Sequence, residues 1–251
     1  MDFDLTQEQT LLGDVTKEIL TRTYDIETRL KVTDTDLGWS RDVWSQLAET
    51  GILGLGFDPE EAGPIEVMVV LTEIGRRLAP EPVVQAALIP GGLLAELGDD
   101  EQRSLLDGVA EGRTLLALAH QEPGMRGMSV EVTTRAEQNG DAWTVTGVKN
   151  PVLSGDCADS FVVSARLPDG GIGLFVVDAE TVSRRAYRTF DGQRAAQVTL
   201  DSVAAQRLGA GGDATSALSG ALIRYQSALC AEAVGAMAEA LRLTSGVLRS
   251  S

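Results

Sequence analysis

The sequence predicts an α+β multi-domain chain. A helical N-terminal domain spans residues 1–113, a central β domain spans 114–210, and the first helix of a C-terminal helical domain occupies 211–251. Three observations carry this reading. Capped segments of helical period fill the first hundred residues, and alternating apolar runs then flank Asn139-Gly140. Helical period returns near Asp213 and continues without a proline to the last residue.

Thr6 and Gln9 form a capping-box pattern that opens a first helix carrying Leu11, Leu12, Val15 and Ile19 on one side. Ser40 can cap a second helix containing Val43, Trp44 and Leu47, with Gly51 as its stop. A third, "IEVMVVLTEIGRRLAPEP", is nearly all apolar at its start and is ended by Pro80. A fourth segment, "VQAALIPGGLLAEL", is interrupted by Pro90 and Gly91-Gly92. "DDEQRSLLDGVAEG" completes the series and ends in Gly112.

At Thr114 the period changes. "TLLALAHQ" reads as a buried strand that ends at His120, the chain's one histidine. "VEVTTRAEQNGDAWTVTG" is two alternating runs around an Asn-Gly turn, a strong hairpin signal. "SFVVSARLPDGGIGLFVVD" is a second hairpin and "AAQVTLDSV" a later strand. The final segment would be one helix of more than thirty residues. With Leu218, Leu222, Leu229, Val234, Met237 and Leu241 it is apolar around much of its circumference, so it must be covered on several sides. Its cover must come from the N-terminal helices, another subunit, or sequence beyond this chain. No internal repeat is visible.

Composition bounds the function. The formal charge is −16 with no Lys/Arg block, which argues against nucleic-acid binding, because that needs a basic stripe to replace counterions. Cys157 and Cys230 are far apart and lack metal-ligand spacing, so a reduced cytoplasmic protein without a metal site is expected. The polar, acidic start "MDFDLTQEQ" excludes a secretory signal, and no apolar run approaches the ~20 residues that span a bilayer.

Several local patterns resemble the acyl-CoA dehydrogenase family. "WSQLAETGILGLGFDPEEAGP" is similar to its "laelGl…lPeehGG" segment and "LTEIGRRLAPEP" to its "EelGr.lap.P" helix. "HQEPG" falls on the family's "TEPG" flavin loop, and "GDAWTVTGVKNPVLSGDCAD" on "ygy.lnGeKxWItna..Ad", with no gap from Glu122 to Asp159. "LCAEAVGAMAEAL" resembles the first helix of the family's C-terminal four-helix bundle. The resemblance implies an acyl-CoA dehydrogenase-like fold with a β-barrel-like middle and a C-terminal bundle cut short, since the family normally continues further. It also implies α,β-dehydrogenation of an acyl-CoA thioester, in which a carboxylate removes the α-proton and the β-hydrogen leaves as hydride to FAD.

Carried over by position, Leu118, Ala119, His120 and Gln121 would face the flavin, with Gly127, Pro151, Val152 and Leu153 completing the contact. The loop's Thr is here Gln121, and its "GSD" is Arg126-Gly127-Met128, so a hydroxyl is lost at Gly127. The Trp of "WIT" is Pro151 and its Thr is Leu153. An absent aromatic contact costs roughly 0.5–1.5 kcal/mol and an absent hydrogen bond about as much. The resemblance therefore implies FAD held with fewer of the family's contacts. The sequence also stops where the family's "RxxFG" motif would bring an arginine to the pyrophosphate.

No catalytic base is assigned. One family position lies beyond the chain, the other falls on Tyr225, and Glu232 is the nearest carboxylate, two turns along. Read on their own residues, Gln121-Glu122-Pro123-Gly124 makes an ordinary strand-ending turn and His120 a satisfied core or rim histidine. Arg126 is then a solvated loop charge, Glu232 a subunit contact or solvent-facing group, and the two cysteines small core residues. Two main readings follow. One is an oxidoreductase subunit of a homo- or hetero-oligomer whose partner completes the site. The other is a catalytically silent scaffold or acyl-CoA-binding subunit. A truncated reading frame is a third. Fatty and sterol acyl groups both remain open.

Overall fold

The computed structural model describes residues 4–127 and 129–250, with side chains to residue 246; Met128, one of the loop positions discussed above, lies outside the described residues. Helices come first: α1 (Gln7–Thr23), α2 (Ile26–Thr33), α3 (Arg41–Glu49), α4 (Pro64–Arg77), α5 (Ile89–Leu97), α6 (Asp100–Arg103) and α7 (Leu105–Ala110). The capping box at the start of α1 is formed, with Gln9 N donating to Thr6 Oγ1 at 3.2 Å and Thr6 N to Gln9 Oε1 at 2.9 Å. The buried side of α1 is Thr16, Ile19 and Leu20, whereas Leu11 is 62% exposed and does not belong to it. The sequence reading missed α2, which opens on Asp25 and is too short for a clear apolar period.

The expected break at Pro90 does not occur. A π-helical turn over Val84–Leu88 runs directly into α5, placing Pro90 in the first turn of that helix, where its missing N–H costs nothing. Gly91 is small because the Phe57 ring fills the space a β-carbon would take.

Seven strands follow: β1 (Leu116–Ala119), β2 (Arg135–Asn139), β3 (Ala142–Leu153), β4 (Ser160–Arg166), β5 (Ile172–Asp178), β6 (Ser183–Arg188) and β7 (Arg194–Arg207). The two expected hairpins are present: β2 and β3 pair with Asn139 opposite Ala142, and β4 and β5 pair with Ser160 opposite Asp178. The first hairpin is shorter than its alternating pattern, since residues 130–134 are not strand. Strands β4, β2, β3, β7 and β5 close a ring, because β4 also pairs with β5, and this makes the middle barrel-like. β1 adds to β4 in parallel and forms one end of the sheet path.

α8 (Thr215–Ser250) is the single long helix expected. It packs against α4, where each helix has a glycine at the crossing. A β-carbon on Gly75 would collide with the Glu232 carbonyl, and one on Gly235 with the Thr72 carbonyl. The helices thus touch backbone to backbone. Farther along, Leu218 and Leu222 are buried, but Val234, Met237 and Leu241 are 53–69% exposed. Cys230 is exposed rather than a core residue, and Cys157 is half-buried. Among the described residues no helix is long and apolar enough to cross a membrane.

Candidate flavin-facing edge and the cavity behind it

Among the described residues β1 pairs on one side only, with β4, and no described strand pairs with its other edge. Beyond Ala119 the chain is tied to β3 instead. Asn150 N donates to Gln121 O at 2.8 Å, and Lys149 Nζ donates to His120 O at 3.2 Å. The loop folds back further on, with Gln121 Nε2 donating to Gly127 O at 3.5 Å. These bonds bring together the end of β1, the loop at Gly127 and the Asn150–Leu153 end of β3.

The eight candidate residues divide by where their side chains go. Ala119 and Val152 are fully buried inside the barrel, and His120 is 2% exposed. His120 Nδ1 is 2.9 Å from Ser164 Oγ, and Nε2 is 2.8 Å from Ser129 O. Burial pushes its imidazole pKa down, and the Ser129 carbonyl only partly offsets this. These three residues, main chain included, present almost no surface, so a ligand laid against this edge would meet Leu118, Gln121, Pro151, Leu153 and Gly127 first. Leu118 packs on the helical side, and Gln121 and Leu153 are half-buried. Pro151 and Gly127 are exposed, Gly127 at φ 67° with nothing near its absent β-carbon. None of the eight lines the cavity of about 410 Å³ or the one of about 780 Å³ described below.

A buried ion pair holds this edge from behind. Lys149 has no exposed surface, and its Nζ lies 2.8 Å from Glu122 Oε1 and 3.2 Å from Ser164 Oγ. Glu122 also accepts from Thr133 N at 2.7 Å, Thr133 Oγ1 at 2.6 Å and Thr134 N at 2.9 Å. Burial alone would raise the Glu122 carboxyl, but these donors and Lys149 bring it down to about 2. Burial pulls the Lys149 ammonium down, and Glu122 pulls it back. The sequence reading missed this network. Its signal was there: Lys149 shares the inward parity of Val145 on β3, and a buried lysine needs an acid.

A cavity of about 410 Å³ lies where the N-terminal helices, the segment after β3, the β6–β7 hairpin and α8 meet. Glu81, Gln85, Asp156, Cys157, Arg194 and Glu232 are among its walls. Arg188 and Arg194 dock the hairpin on the end of α2, donating to the Thr33 and Thr35 carbonyls, where a helix terminus favours cations. Glu232 lies half-buried on α8 in the wall of this cavity, not on an open solvent face. Burial raises its carboxyl to about 7. Burial pushes the Tyr225 phenol up, with Gln85 beside it offsetting part of the shift, so it stays protonated. A second cavity, of about 780 Å³, lies outside the 123–133 loop and includes Met125, Arg126 and Arg166.

A helical head, a closed barrel with one half-paired edge strand, and a long trailing helix define a class of fold that known proteins share. No family model matches the chain. It is 28% identical over 185 residues to acyl-CoA dehydrogenase FadE27 of Mycobacterium tuberculosis, covering 71% of this chain and 48% of that protein. Among solved structures it is similar to a variant of the Tcur3481-Tcur3483 steroid ACAD, with a TM-score of 0.87, 31% identity, and 98% of this chain against 67% of that one. It shares the fold of the ChsE4-ChsE5 complex from Mycobacterium tuberculosis, with a TM-score of 0.86, 24% identity, and 100% of this chain against 69% of that one. The chain belongs to the acyl-CoA dehydrogenase family. It spans about half the length of the curated relatives it matches.

Proposed function

We propose that the chain is a subunit of a flavin-dependent oxidoreductase that dehydrogenates an acyl-CoA thioester between its α and β carbons, with FAD as cofactor. The observation that carries this is the half-paired β1 edge, pinned to β3 by Lys149 and Asn150. A planar ring with donors and acceptors along its rim fits such an edge. Main-chain groups of Leu118, Ala119, His120 and Gln121 would bind the rim, while Pro151, Val152 and Leu153 would flank it, with Gly127 letting the loop approach closely. The bound flavin supplies the hydride acceptor. The chain's part is to orient the ring and keep the backbone behind it rigid.

In this reading the site is completed by a partner subunit or further helices. The eight residues lie outside both cavities, only Gly127 and Pro151 among them are exposed, and the apolar line Val234, Met237 and Leu241 on α8 stays uncovered. Heteromeric relatives such as the ChsE4-ChsE5 complex make a second acyl-CoA dehydrogenase-like subunit a fitting partner. On the resemblance that puts the family's base position at Tyr225, a neutral phenol there supplies no base, which also favours the second reading, a silent acyl-CoA-binding subunit.

Purified protein decides between them. The enzyme reading expects flavin absorbance, from the chain alone or with its co-expressed partner, that bleaches when an acyl-CoA is added anaerobically. Colourless protein that still binds acyl-CoA in both preparations would establish the silent subunit.

A further inference from the structure

We propose that the cavity of about 410 Å³ takes the far end of the acyl group and selects one bearing a neutral hydrogen-bonding oxygen, a hydroxyl or a ketone, over plain hydrocarbon. This rests on the acyl-CoA reading above. The cavity's wall includes Ser154, which follows directly on Leu153, with Asp156 and Cys157 just beyond, so it begins where the candidate flavin-facing edge ends. Its volume is in the lower part of the range for small-ligand sites.

The polar chemistry is concentrated here. Among the described residues, six buried side-chain atoms lack a hydrogen-bond partner, and four of them belong to this wall: Glu81 Oε2, Asp156 Oδ1, Arg194 Nε and Trp39 Nε1, the last with only the weakly accepting Cys157 sulfur beside it. An unmet buried polar atom costs about 1–3 kcal/mol, so four around one cavity mark a place built for a polar guest. Glu81 is 5% exposed, and its other oxygen is taken by the Tyr24 hydroxyl and by Ser40 N at 3.1 Å. The set offers donors from Trp39 and Arg194 together with carboxyl oxygens.

Charge decides which oxygen. The wall carries Glu81, Asp156, Asp191 and Glu232 beside Arg29 and Arg194, and both guanidiniums already donate to main-chain carbonyls, of Leu78 and Thr35, so a terminal carboxylate finds neither free for a bidentate pair. Burial raises both Glu81 and Asp156, favouring their neutral forms, which can donate to a ketone or exchange bonds with a hydroxyl. Burial also pushes the Cys157 thiol up to about 12, so it adds no further charge.

Calorimetric titration tests this, using the purified chain with any copurifying subunit retained. The ligands are a length series of acyl-CoAs that are unsubstituted, hydroxylated at the far end, or carboxylated there. The hydroxylated form is expected to bind about tenfold tighter than the unsubstituted one at the matching length. Trp39→Phe and Asp156→Asn, each checked for intact folding by thermal melts, should reduce that preference severalfold. Equal or tighter binding of the unsubstituted or carboxylated form at every length would overturn the inference and leave the acyl-CoA reading standing. Binding of none of the three overturns both.

Discussion

An ammonium with no exposed surface must find an anion in the interior, and Lys149 finds Glu122. Breaking such a pair strands the surviving charge, typically at 3–5 kcal/mol, whereas removing both partners costs far less. Glu122→Gln is therefore expected to lower the melting temperature sharply, and the Glu122→Gln/Lys149→Met double variant to recover much of the loss. Additive losses in a double-mutant cycle would refute the pairing. In the flavin-binding reading, Glu122→Gln also weakens FAD retention, because the His120 backbone loses its anchor.

Two carboxyls give stability opposite slopes with pH. Glu122 has its folded pKa lowered to about 2, so its contribution is present above the unfolded value and is lost as pH falls below about 4.5 toward 2. Glu232 is raised to about 7, so the folded chain keeps a proton that the unfolded chain gives up, and stability declines as pH rises from about 4.5 to 7. Glu232→Gln should flatten that upper limb by about 1–3 kcal/mol in denaturant titrations across the window, while leaving the acid limb in place. An unchanged upper limb would mean that Glu232 is solvated.

At the scale of elements, the crossing of α4 and α8 sets where Glu232 sits. Gly75→Ala puts a methyl into the Glu232 carbonyl, and Gly235→Ala puts one into that of Thr72, so the helices must separate. Overpacking of this kind costs about 1–3 kcal/mol. Both variants should melt earlier, and neither should be rescued by removing the Glu232 side chain, because the clash is with backbone. The π-helical turn before Pro90 is a second device of the same scale. It allows a proline within a continuous helical run and brings Gln85 to the cavity wall.

At the scale of the whole molecule, α8 buries one face in this chain and leaves another bare. Met237 and Leu241 are 62% and 69% exposed, so charging them costs the isolated chain little, within about 0.5 kcal/mol. The Met237→Lys/Leu241→Lys variant is expected to melt like the parent but to lose co-elution with a co-expressed partner subunit in gel filtration. Retained co-elution would place the interface elsewhere.

The sequence by itself determined the order of helices, barrel and trailing helix, since periods of 3.6 and 2 are local properties that caps and an Asn-Gly turn punctuate. Through the family resemblance it also marked residues 118–121, Gly127 and residues 151–153 as the candidate site. It could not show which way side chains turned there. His120 was legible only as a candidate, and tertiary structure decided that its ring faces inward to Ser164 and that its carbonyl is taken by Lys149. Pairing of Lys149 with Glu122, and the meeting of Glu81, Asp156, Arg194 and Glu232 around one cavity, join residues 27 to 151 positions apart. No local pattern encodes such distances. They arise when β1 finds β4, the β6–β7 hairpin docks on α2, and two glycines let α8 lie against α4.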